Sequence, residues 1–375
     1  MKLTELRTPC VLVDRLRAER SLKRMQAATG ARGIALRPHA KTHKSIEIGR
    51  QQIGAGAVGI CCAKLGEAEV FADAGFEDIR LPYPLNPVNA ERVADLQDRT
   101  RLSFIVDHWD VARGWSEAMQ REERTVDVLV KVDVGTHRCG IDPSQADAAE
   151  FVARVAALPG LRFRGLLSHA GHGYGARSAE DLRSIAAAEA ATLGSLAERV
   201  RALGVEVQEI SVGATPTALF SVEQPGITEL RPGNYVYFDR TQVGLAAADW
   251  DDCALTVLAR VVTKPASDRI IFDSGSKTLS NDLARGFAPC PGYGVVLRSP
   301  TGTQVPDERL LVERLSEEHA QVRVSGGAHP LEPGDLVRLV PNHSCVVSNL
   351  VDAAWVVDGD DVIERLEISA RGRIT

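Results

Sequence analysis

The chain has 375 residues, with 44 lysine and arginine residues against 50 aspartate and glutamate residues, and a formal net charge of -6. This length predicts two or three domains that each bury a core, and the acidic balance argues against nucleic acid as the main partner. No apolar run approaches the roughly 20 residues that span a bilayer and no export signal is visible, so we expect a cytoplasmic protein without a membrane partner.

Short β-rich runs alternate with helical segments over the first two-thirds of the chain. The runs are "GIALR", "AVGICCA", "DIRLPY", "RLSFIVD", "VDVLVKVDV", "FRGLLSH", "EVQEISVG" and "ITELRPG". Segments between them, such as "AAEFVARVAAL", place apolar residues at helical intervals. Eight strand–helix repeats are typical of a (β/α)8 TIM barrel, an α/β fold that we place at residues 15–244. An open, doubly wound parallel sheet is the alternative, but it rarely needs eight such units.

A different pattern begins at about residue 245. Runs such as "CALTVLARVVT", "RIIFDSG", "AQVRVSG" and "DLVRLVPN" are short, β-rich and separated by Gly, Pro and Asp turns. The segment "CVLVD" before the barrel is also strand-like. We therefore predict a second, all-β domain formed by residues 1–14 and 245–375. Seven irregularly spaced cysteines do not indicate a disulfide framework.

Cationic and polar side chains follow the ends of the predicted barrel strands, where barrel enzymes place their active sites. The first strand ends in "RPHAKTHK", in which five of eight residues are Arg, His or Lys. Lys64 follows the second strand and Arg138 the fifth, in "DVGTHRCG". His169 and Tyr174 follow the sixth, in "SHAGHGYG". These residues are candidates for a site at the barrel mouth.

The loops after the seventh and eighth strands suit a phosphate group. "VGATPT" contains Gly213 and Thr215, and "RPGNY" contains Gly233 and Asn234, so backbone N–H groups can approach an anion closely. Barrel enzymes often bind phosphate at these two loops, although two ordinary Gly/Pro turns are the alternative. A strand-end lysine, a phosphate site and an arginine together suggest pyridoxal 5'-phosphate held covalently by a lysine.

The sequence resembles the fold-type III, alanine racemase-like pyridoxal phosphate enzymes, and within them the D-serine dehydratase and D-threonine aldolase family. The matching segments are "TPCVLVD", "RPHAKTHKS", "GAVGICCAKLGEAE", "HRCGI", "VGATPT", "RPGNY", "FDSGSKTLSND" and "PNHSCVVSNL". The resemblance implies that Lys41, and not Lys64, carries the cofactor. The expected cofactor site comprises Lys41, His39, Arg138, His169, Tyr174, Gly213, Thr215, Gly233 and Asn234.

The resemblance also implies a divalent metal near the substrate hydroxyl, held here by His343 and Cys345 of "PNHSC". An i, i+2 pair on an extended segment would project both side chains to one face. An imidazole and a thiolate suit Zn²⁺, with Mn²⁺ as the second choice. Taken alone, a His-x-Cys pair is more often structural. Asp273 in "FDSGSK" could orient a ligand or only cap a turn.

These features predict a lyase that dehydrates a D-3-hydroxy amino acid such as D-serine or D-threo-3-hydroxyaspartate to a 2-oxo acid and ammonia. Lys41 and Tyr174 are the expected catalytic residues. "HAGHGYG" and His-x-Cys resemble the dehydratases, since the aldolases tend to carry His-x-Asp. Retro-aldol cleavage of the same substrates and a non-catalytic pyridoxal phosphate carrier are the alternatives. The family further implies a homodimer.

Overall fold

The computed structural model describes residues Met1–Thr375 and divides the strands between two sheets. The first sheet contains β2 (Ala35–Leu36), β3 (Ile60–Cys61), β4 (Asp78–Pro84), β5 (Arg101–Val106), β6 (Val126–Lys131), β7 (Leu161–Leu167), β8 (Glu209–Val212) and β9 (Glu229–Leu230). The second contains β1 (Cys10–Asp14), β10 (Leu255–Ala266), β11 (Arg269–Phe272), β12 (Val295–Leu297), β13 (Pro306–Leu315), β14 (Ala320–Val324), β15 (Leu336–Val340), β16 (Ala353–Asp358) and β17 (Asp361–Glu367).

Eleven α-helices connect or cover these strands. They are α1 (Arg15–Gly30), α2 (Ile46–Gly54), α3 (Leu65–Asp73), α4 (Ala90–Gln97), α5 (Trp109–Arg121), α6 (Ala148–Ala156), α7 (Ala179–Ala202), α8 (Ala218–Ser221), α9 (Arg240–Gly244), α10 (Ser276–Leu279) and α11 (Ser344–Leu350). Short 3₁₀ helices include Ala40–Thr42, Gly171–Gly175 and Asn234–Val236. No helix combines the length and the apolar sequence that crossing a bilayer requires.

The first sheet is a parallel barrel with the strand order β2-β9-β8-β7-β6-β5-β4-β3. A parallel bridge between His39 and Cys61 joins the first and last strands in that order, and the Cys61 N–H donates to the Pro38 carbonyl at 2.7 Å. A sheet whose two edges meet is a closed barrel and not an open, doubly wound sheet. The predicted (β/α)8 barrel is therefore confirmed.

Burial on both faces explains the apolar strands of the barrel. β6 is buried at every position from Val126 to Lys131, because one face fills the barrel and the other packs under helices. α6 contributes Val152 and Val155 to that outer layer. A single hydrophobic cluster includes Val130 of the barrel and Val257 of the second sheet, so the two parts of the chain share one continuous core.

The second sheet contains the first strand of the chain. β1 pairs antiparallel with β10, with Cys10 opposite Leu258, and parallel with β16, with Leu12 opposite Trp355. The order is β11-β14-β13-β12-β15-β10-β1-β16-β17, and an additional β11–β10 pairing curls part of the sheet onto itself. The all-β character predicted for the region after residue 245 is confirmed.

Asp273 acts within this second sheet. Its carboxylate accepts hydrogen bonds from the Thr8 hydroxyl at 2.6 Å and from the Arg260 N–H at 2.8 Å. It therefore fastens the N-terminal segment to the sheet, which is the structural alternative left open by the sequence.

A network of ion pairs fills the end of the barrel at which its strands begin. Glu229 is buried and accepts hydrogen bonds from Arg37, Arg80 and Ser211. Burial alone would raise the pKa of Glu229, but the two guanidinium groups lower it to about 2. A cavity of about 300 Å³ at this end has no hydrophobic lining residue, and each arginine that lines it is paired with a carboxylate.

Candidate active site

Lys41 lies in the 3₁₀ helix that follows β2, at the barrel mouth. The Lys41 N–H donates to His39 Nδ1 at 3.3 Å, which fixes the histidine beside the lysine backbone. The Lys41 side chain is accessible to solvent at the barrel mouth, but many protein atoms lie close to its amine. Desolvation lowers its pKa and the charge of Arg138 lowers it further, against an opposing effect of Cys345. A lysine with a lowered pKa is more often neutral and able to act as a nucleophile or base.

The other cations of "RPHAKTHK" have structural partners. Arg37 belongs to the ion pairs at the opposite end of the barrel, and buried Lys44 pairs with Glu67 at 3.1 Å. His43 is buried and hydrogen-bonded to Gln52 at 3.2 Å, and burial lowers its pKa to about 4. The structure therefore divides the basic segment and leaves one lysine and one histidine for the mouth.

Lys64, the rival lysine, is placed differently. Its ammonium donates to the Tyr83 hydroxyl at 3.0 Å and lies over the same ring, 4.1 Å from the centroid. These contacts satisfy Lys64 as a side chain that packs on an aromatic ring, which favours Lys41 as the reactive amine.

The loop after β8 offers unpaired donors. The N–H groups of Gly213, Ala214 and Thr215 form no hydrogen bond within the chain although the residues are buried, and the buried Thr215 hydroxyl has no partner either. Gly213 has φ +141°, and a Cβ atom there would lie 2.8 Å from the Arg231 nitrogen. Buried N–H groups are almost always paired in native proteins, so this cluster fits an anion such as a phosphate.

The loop after β9 completes the same region. The Gly233 N–H is also unpaired and buried, and a Cβ atom there would lie 3.0 Å from Thr42 Oγ1 and 3.2 Å from His39 Cβ. Glycine thus lets this loop pack against the lysine segment. His169, from the loop after β7, hydrogen-bonds through Nδ1 to the Gly213 carbonyl at 2.7 Å. Four predicted residues of the cofactor site are therefore in contact in two pairs, His169 with Gly213 and His39 with Gly233.

Asn234 lies between the barrel and the second domain. Its Nδ2 donates to Asp239 Oδ2 at 2.6 Å and approaches Cys345 Sγ at 3.4 Å. Its Oδ1 is buried without a partner. These contacts place the Asn234 side chain beside the cysteine, while its backbone N–H, the group expected at the phosphate, forms no hydrogen bond within the chain.

His343 and Cys345 lie at the start of α11. His343 is extended, with φ -146° and ψ 96°, but Ser344 already begins the helix. The expectation of an extended pair is wrong for Cys345, because Asp239 accepts a hydrogen bond from the Ser344 N–H at 2.9 Å and holds the first helical turn in place. The two side chains nevertheless interact.

Each side chain of the pair favours the charged form of the other. Burial acts to lower the pKa of His343, but a hydrogen bond and the charge of Cys345 raise it to about 10. Burial acts to raise the pKa of Cys345, but the same interactions with His343 lower it. His343 Nδ1 also contacts Asp282 at 2.6 Å, and Cys345 Sγ contacts Thr42 Oγ1 at 3.1 Å.

The donor set fits a divalent metal with open positions. An imidazole oriented by a carboxylate is a common arrangement in zinc sites, and a thiolate is a strong zinc ligand. No group of three or more His, Cys, Asp or Glu side chains lies close enough to hold a metal. A metal at this pair would therefore have two donors from the chain and would need water or substrate in its other positions.

Tyr174 and Arg138 lie around the same mouth. The Tyr174 hydroxyl is 3.4 Å from Gln242 Nε2, and burial raises its pKa above the usual range, so the hydroxyl keeps its proton. Arg138 is exposed and has no ion-pair partner, and its charge lowers the pKa of Lys41 and of His169. Its positive charge therefore acts on both of these candidate site residues.

Sequence reasoning missed three buried polar residues. Burial and the charge of Arg231 lower the pKa of Lys131 to about 7 at the end of β6. Arg231 hydrogen-bonds to the Ser168 carbonyl and Ser211, and Asp239 connects Asn234 with α11. Lys131 could have been noticed as a lysine inside the otherwise apolar run "VDVLVKVDV". Nothing in the sequence near Asp239 indicated its role.

Two family models divide the chain at the same place as the two sheets. The model of the alanine racemase N-terminal domain matches residues 13–241, and that of a serine dehydratase domain matches residues 254–357. D-threonine aldolase of Arthrobacter sp is 34% identical over 99% of this chain and 94% of its own length. D-threo-3-hydroxyaspartate dehydratase of Delftia sp. is 32% identical over 97% of this chain and 98% of its own.

A solved structure shows the same fold. A cysteine-to-alanine variant of D-threo-3-hydroxyaspartate dehydratase in the metal-free form is 30% identical to this chain, with a TM-score of 0.91 and coverage of 98% of both chains. The sequence match, the barrel and the second β-domain agree. The chain therefore belongs to the family of the alanine racemase N-terminal domain, in the form that carries a serine dehydratase domain after the barrel.

Proposed function

We propose that this protein is a pyridoxal phosphate- and divalent metal-dependent dehydratase of a D-3-hydroxy amino acid such as D-serine or D-threo-3-hydroxyaspartate. The products are a 2-oxo acid and ammonia. The main support for this proposal is that the segment of Lys41 contacts the cysteine of the His-x-Cys pair. Thr42 Oγ1, next to Lys41 in the chain, lies 3.1 Å from Cys345 Sγ. This contact brings a base for an α-proton next to two ligands for a metal that can hold a β-hydroxyl.

Pyridoxal phosphate fits the barrel mouth. The unpaired N–H groups of Gly213, Thr215 and Gly233 would hold its phosphate, and Lys41 would hold it covalently. The bound cofactor supplies an electron sink for the negative charge that develops at the substrate Cα. The lowered pKa of Lys41 keeps a larger fraction of the amine neutral, so it can take the α-proton as a general base.

His343 and Cys345 would hold the divalent metal. A metal at this position supplies Lewis acidity to the substrate β-hydroxyl and makes it a better leaving group. Zn²⁺ is the first choice because of the thiolate, and Mn²⁺ is the second. Asp282 holds the His343 ring through Nδ1, which leaves Nε2 as the ligand atom. A relative solved as a cysteine-to-alanine variant in the metal-free form agrees with this assignment.

The remaining residues orient the reacting groups. His169, held by its hydrogen bond to the Gly213 carbonyl, would pack beside the cofactor ring. His39, which is held beside the Lys41 backbone, would also contact the cofactor. Arg138 would place a positive charge near the polar edge of the ring. Tyr174 has a hydroxyl that keeps its proton, so it can donate that proton to a departing hydroxide.

Retro-aldol cleavage is the second candidate, because D-threonine aldolase of Arthrobacter sp is 34% identical to the chain. An aldolase needs a base that takes the proton of the β-hydroxyl. The Tyr174 hydroxyl stays protonated because burial raises its pKa, and His343 Nδ1 is hydrogen-bonded to Asp282, so neither group is free to accept that proton. We therefore place elimination ahead of retro-aldol cleavage.

Product analysis separates the two reactions. The purified holoenzyme is incubated with D-serine, DL-threo-3-hydroxyaspartate and D-threonine, and ammonia and glycine are measured in each reaction. We expect ammonia in equal amount to a 2-oxo acid, and no product from L-serine. Glycine with an aldehyde or glyoxylate would show the aldolase instead, and a protein that binds the cofactor but yields no product would be a carrier.

We also propose that the protein is a homodimer, as the family resemblance implies. Size-exclusion chromatography with light scattering tests this, and a mass near the 40.4 kDa of one chain would contradict it.

A further inference from the structure

A second cavity lies at the mouth between the two domains. It has a volume of about 400 Å³ and lies between the loop after β7 and residues 284–290 of the second domain. Tyr174 lines it from the barrel side, together with Arg177. Arg285 and Phe287 line it from the other side. The cavity therefore has an apolar part and two guanidinium groups.

Neither guanidinium has a partner in the chain. The backbone N–H of Arg177 donates to the Asp181 carboxylate and the backbone N–H of Arg285 donates to the Thr241 hydroxyl, but neither side chain forms a hydrogen bond or an ion pair. The cavity at the opposite end of the barrel differs, because every arginine there is paired with a carboxylate. Two unpaired cations that line one cavity raise its positive potential and favour an anion.

Arg285 lies on the loop that also orients the His-x-Cys pair. Asp282, three residues earlier, contacts His343 Nδ1 at 2.6 Å. Asn342 Nδ2 donates to the carbonyls of Asp282 at 2.9 Å and of Gly292 at 2.8 Å, so both ends of the loop are anchored. This anchoring fixes the backbone of the loop that carries Arg285, which lines the same cavity as Tyr174.

We propose that Arg285, assisted by Arg177, binds the distal carboxylate of a dicarboxylic D-3-hydroxy amino acid. The inference rests on the proposed function. In 3-hydroxyaspartate this carboxylate is attached to the same carbon as the hydroxyl, so a substrate whose hydroxyl lies at His343 carries its second carboxylate beside the loop of Asp282 and Arg285. A guanidinium pairs with a carboxylate through two parallel hydrogen bonds. D-Serine carries a hydrogen atom on Cβ where 3-hydroxyaspartate carries its second carboxylate, so D-serine leaves both guanidinium groups unpaired. We therefore expect 3-hydroxyaspartate to be the preferred substrate.

The test compares two substrates in two variants. The kcat/KM values for D-threo-3-hydroxyaspartate and for D-serine are measured for the wild-type holoenzyme, Arg285→Met and Arg314→Met. Arg314 is a matched control because it is exposed on β13 and has no hydrogen bond or ion pair. Losing a charge-assisted pair in Arg285→Met lowers the ratio of the two kcat/KM values about 10- to 100-fold, mainly through KM for the dicarboxylate. Arg285→Lys restores part of the ratio, since it keeps the charge.

A binding measurement keeps this inference separate from the proposed function. D-Malate has both carboxylates but no amino group, and its affinity is measured by titration calorimetry. We expect it to bind the wild type and to bind Arg285→Met about 10-fold more weakly. An unchanged kcat/KM ratio, or an equal loss for both substrates, overturns the carboxylate site. If no D-3-hydroxy amino acid is turned over, the proposed function fails, while D-malate binding that depends on Arg285 still supports the carboxylate site.

Discussion

Glu229 provides a quantitative test of the ion pairs at the base of the barrel. It is 3% exposed, and its partners Arg37 and Arg80 are 6% and 3% exposed. We consider Glu229→Gln, which keeps the size of the side chain and one acceptor but removes the charge. Two buried guanidinium groups then lose the carboxylate that they share. Removing one partner of a buried ion pair typically costs about 3–5 kcal/mol.

The pKa of Glu229 gives an independent value. A carboxylate whose pKa is lowered in the folded state stabilises that state above its usual pKa and loses the contribution as the pH falls toward the folded value. The difference between the usual 4.5 and about 2 corresponds to roughly 3 kcal/mol. The contribution is fully present above pH 4.5 and is lost as the pH falls toward 2. Both estimates thus predict a loss of about 3 kcal/mol at pH 7 for Glu229→Gln.

Urea unfolding measures this loss. Buried Trp115 packs against Phe104 of the barrel wall, so tryptophan fluorescence reports on barrel unfolding. The control is Glu367→Gln, which removes an exposed ion pair with Arg365 and should change the free energy of unfolding by less than about 0.5 kcal/mol. The difference between wild type and Glu229→Gln should also shrink as the pH falls below 4.5. A loss below 0.5 kcal/mol at pH 7 would refute the reasoning.

Two further predictions concern the mouth. Borohydride reduction of the holoenzyme is expected to fix the cofactor on the peptide that contains Lys41. The Lys41→Ala variant is expected to lose the visible absorbance of the bound cofactor and essentially all turnover. A label on the Lys64 peptide would mean that Lys64 carries the cofactor instead. Cys345→Ala is expected to lose at least nine-tenths of the bound divalent metal by elemental analysis and to abolish elimination, while the visible absorbance remains, because one imidazole is a poor anchor without the thiolate. Full activity after exhaustive chelation would make the pair structural.

The order of the elements could be predicted from the sequence, but their lengths could not. Eight alternating β-rich and helical segments gave the barrel because periodicity is a local property. β2 and β3 have only two residues each, whereas the runs "GIALR" and "AVGICCA" are much longer. Strand ends depend on where the neighbouring strand offers hydrogen bonds, and that is decided by the closed barrel.

In the candidate site, too, local motifs could be predicted from the sequence, whereas contacts between distant residues could not. Motifs brought Lys41, Gly213 and Cys345 to notice, and the structure gathers them at one mouth. The basic segment "RPHAKTHK" could not be divided from sequence, because the partner of Arg37 is Glu229, nearly 200 residues away. Asp239 was missed for the same reason, since it accepts a hydrogen bond from Ser344 at the start of α11, 105 residues further along the chain.

The central position of β1 has a consequence for synthesis on the ribosome. β1 is made first, but its neighbours β10 and β16 follow about 250 and about 340 residues later. At an elongation rate of roughly 5–20 residues per second, β1 lacks its hydrogen-bond partners for at least about 12 seconds. The barrel is synthesised during this time. A chain that stalls before residue 353 carries a folded barrel beside an unpaired apolar strand edge. Such nascent chains are natural clients for holding chaperones and quality-control proteases.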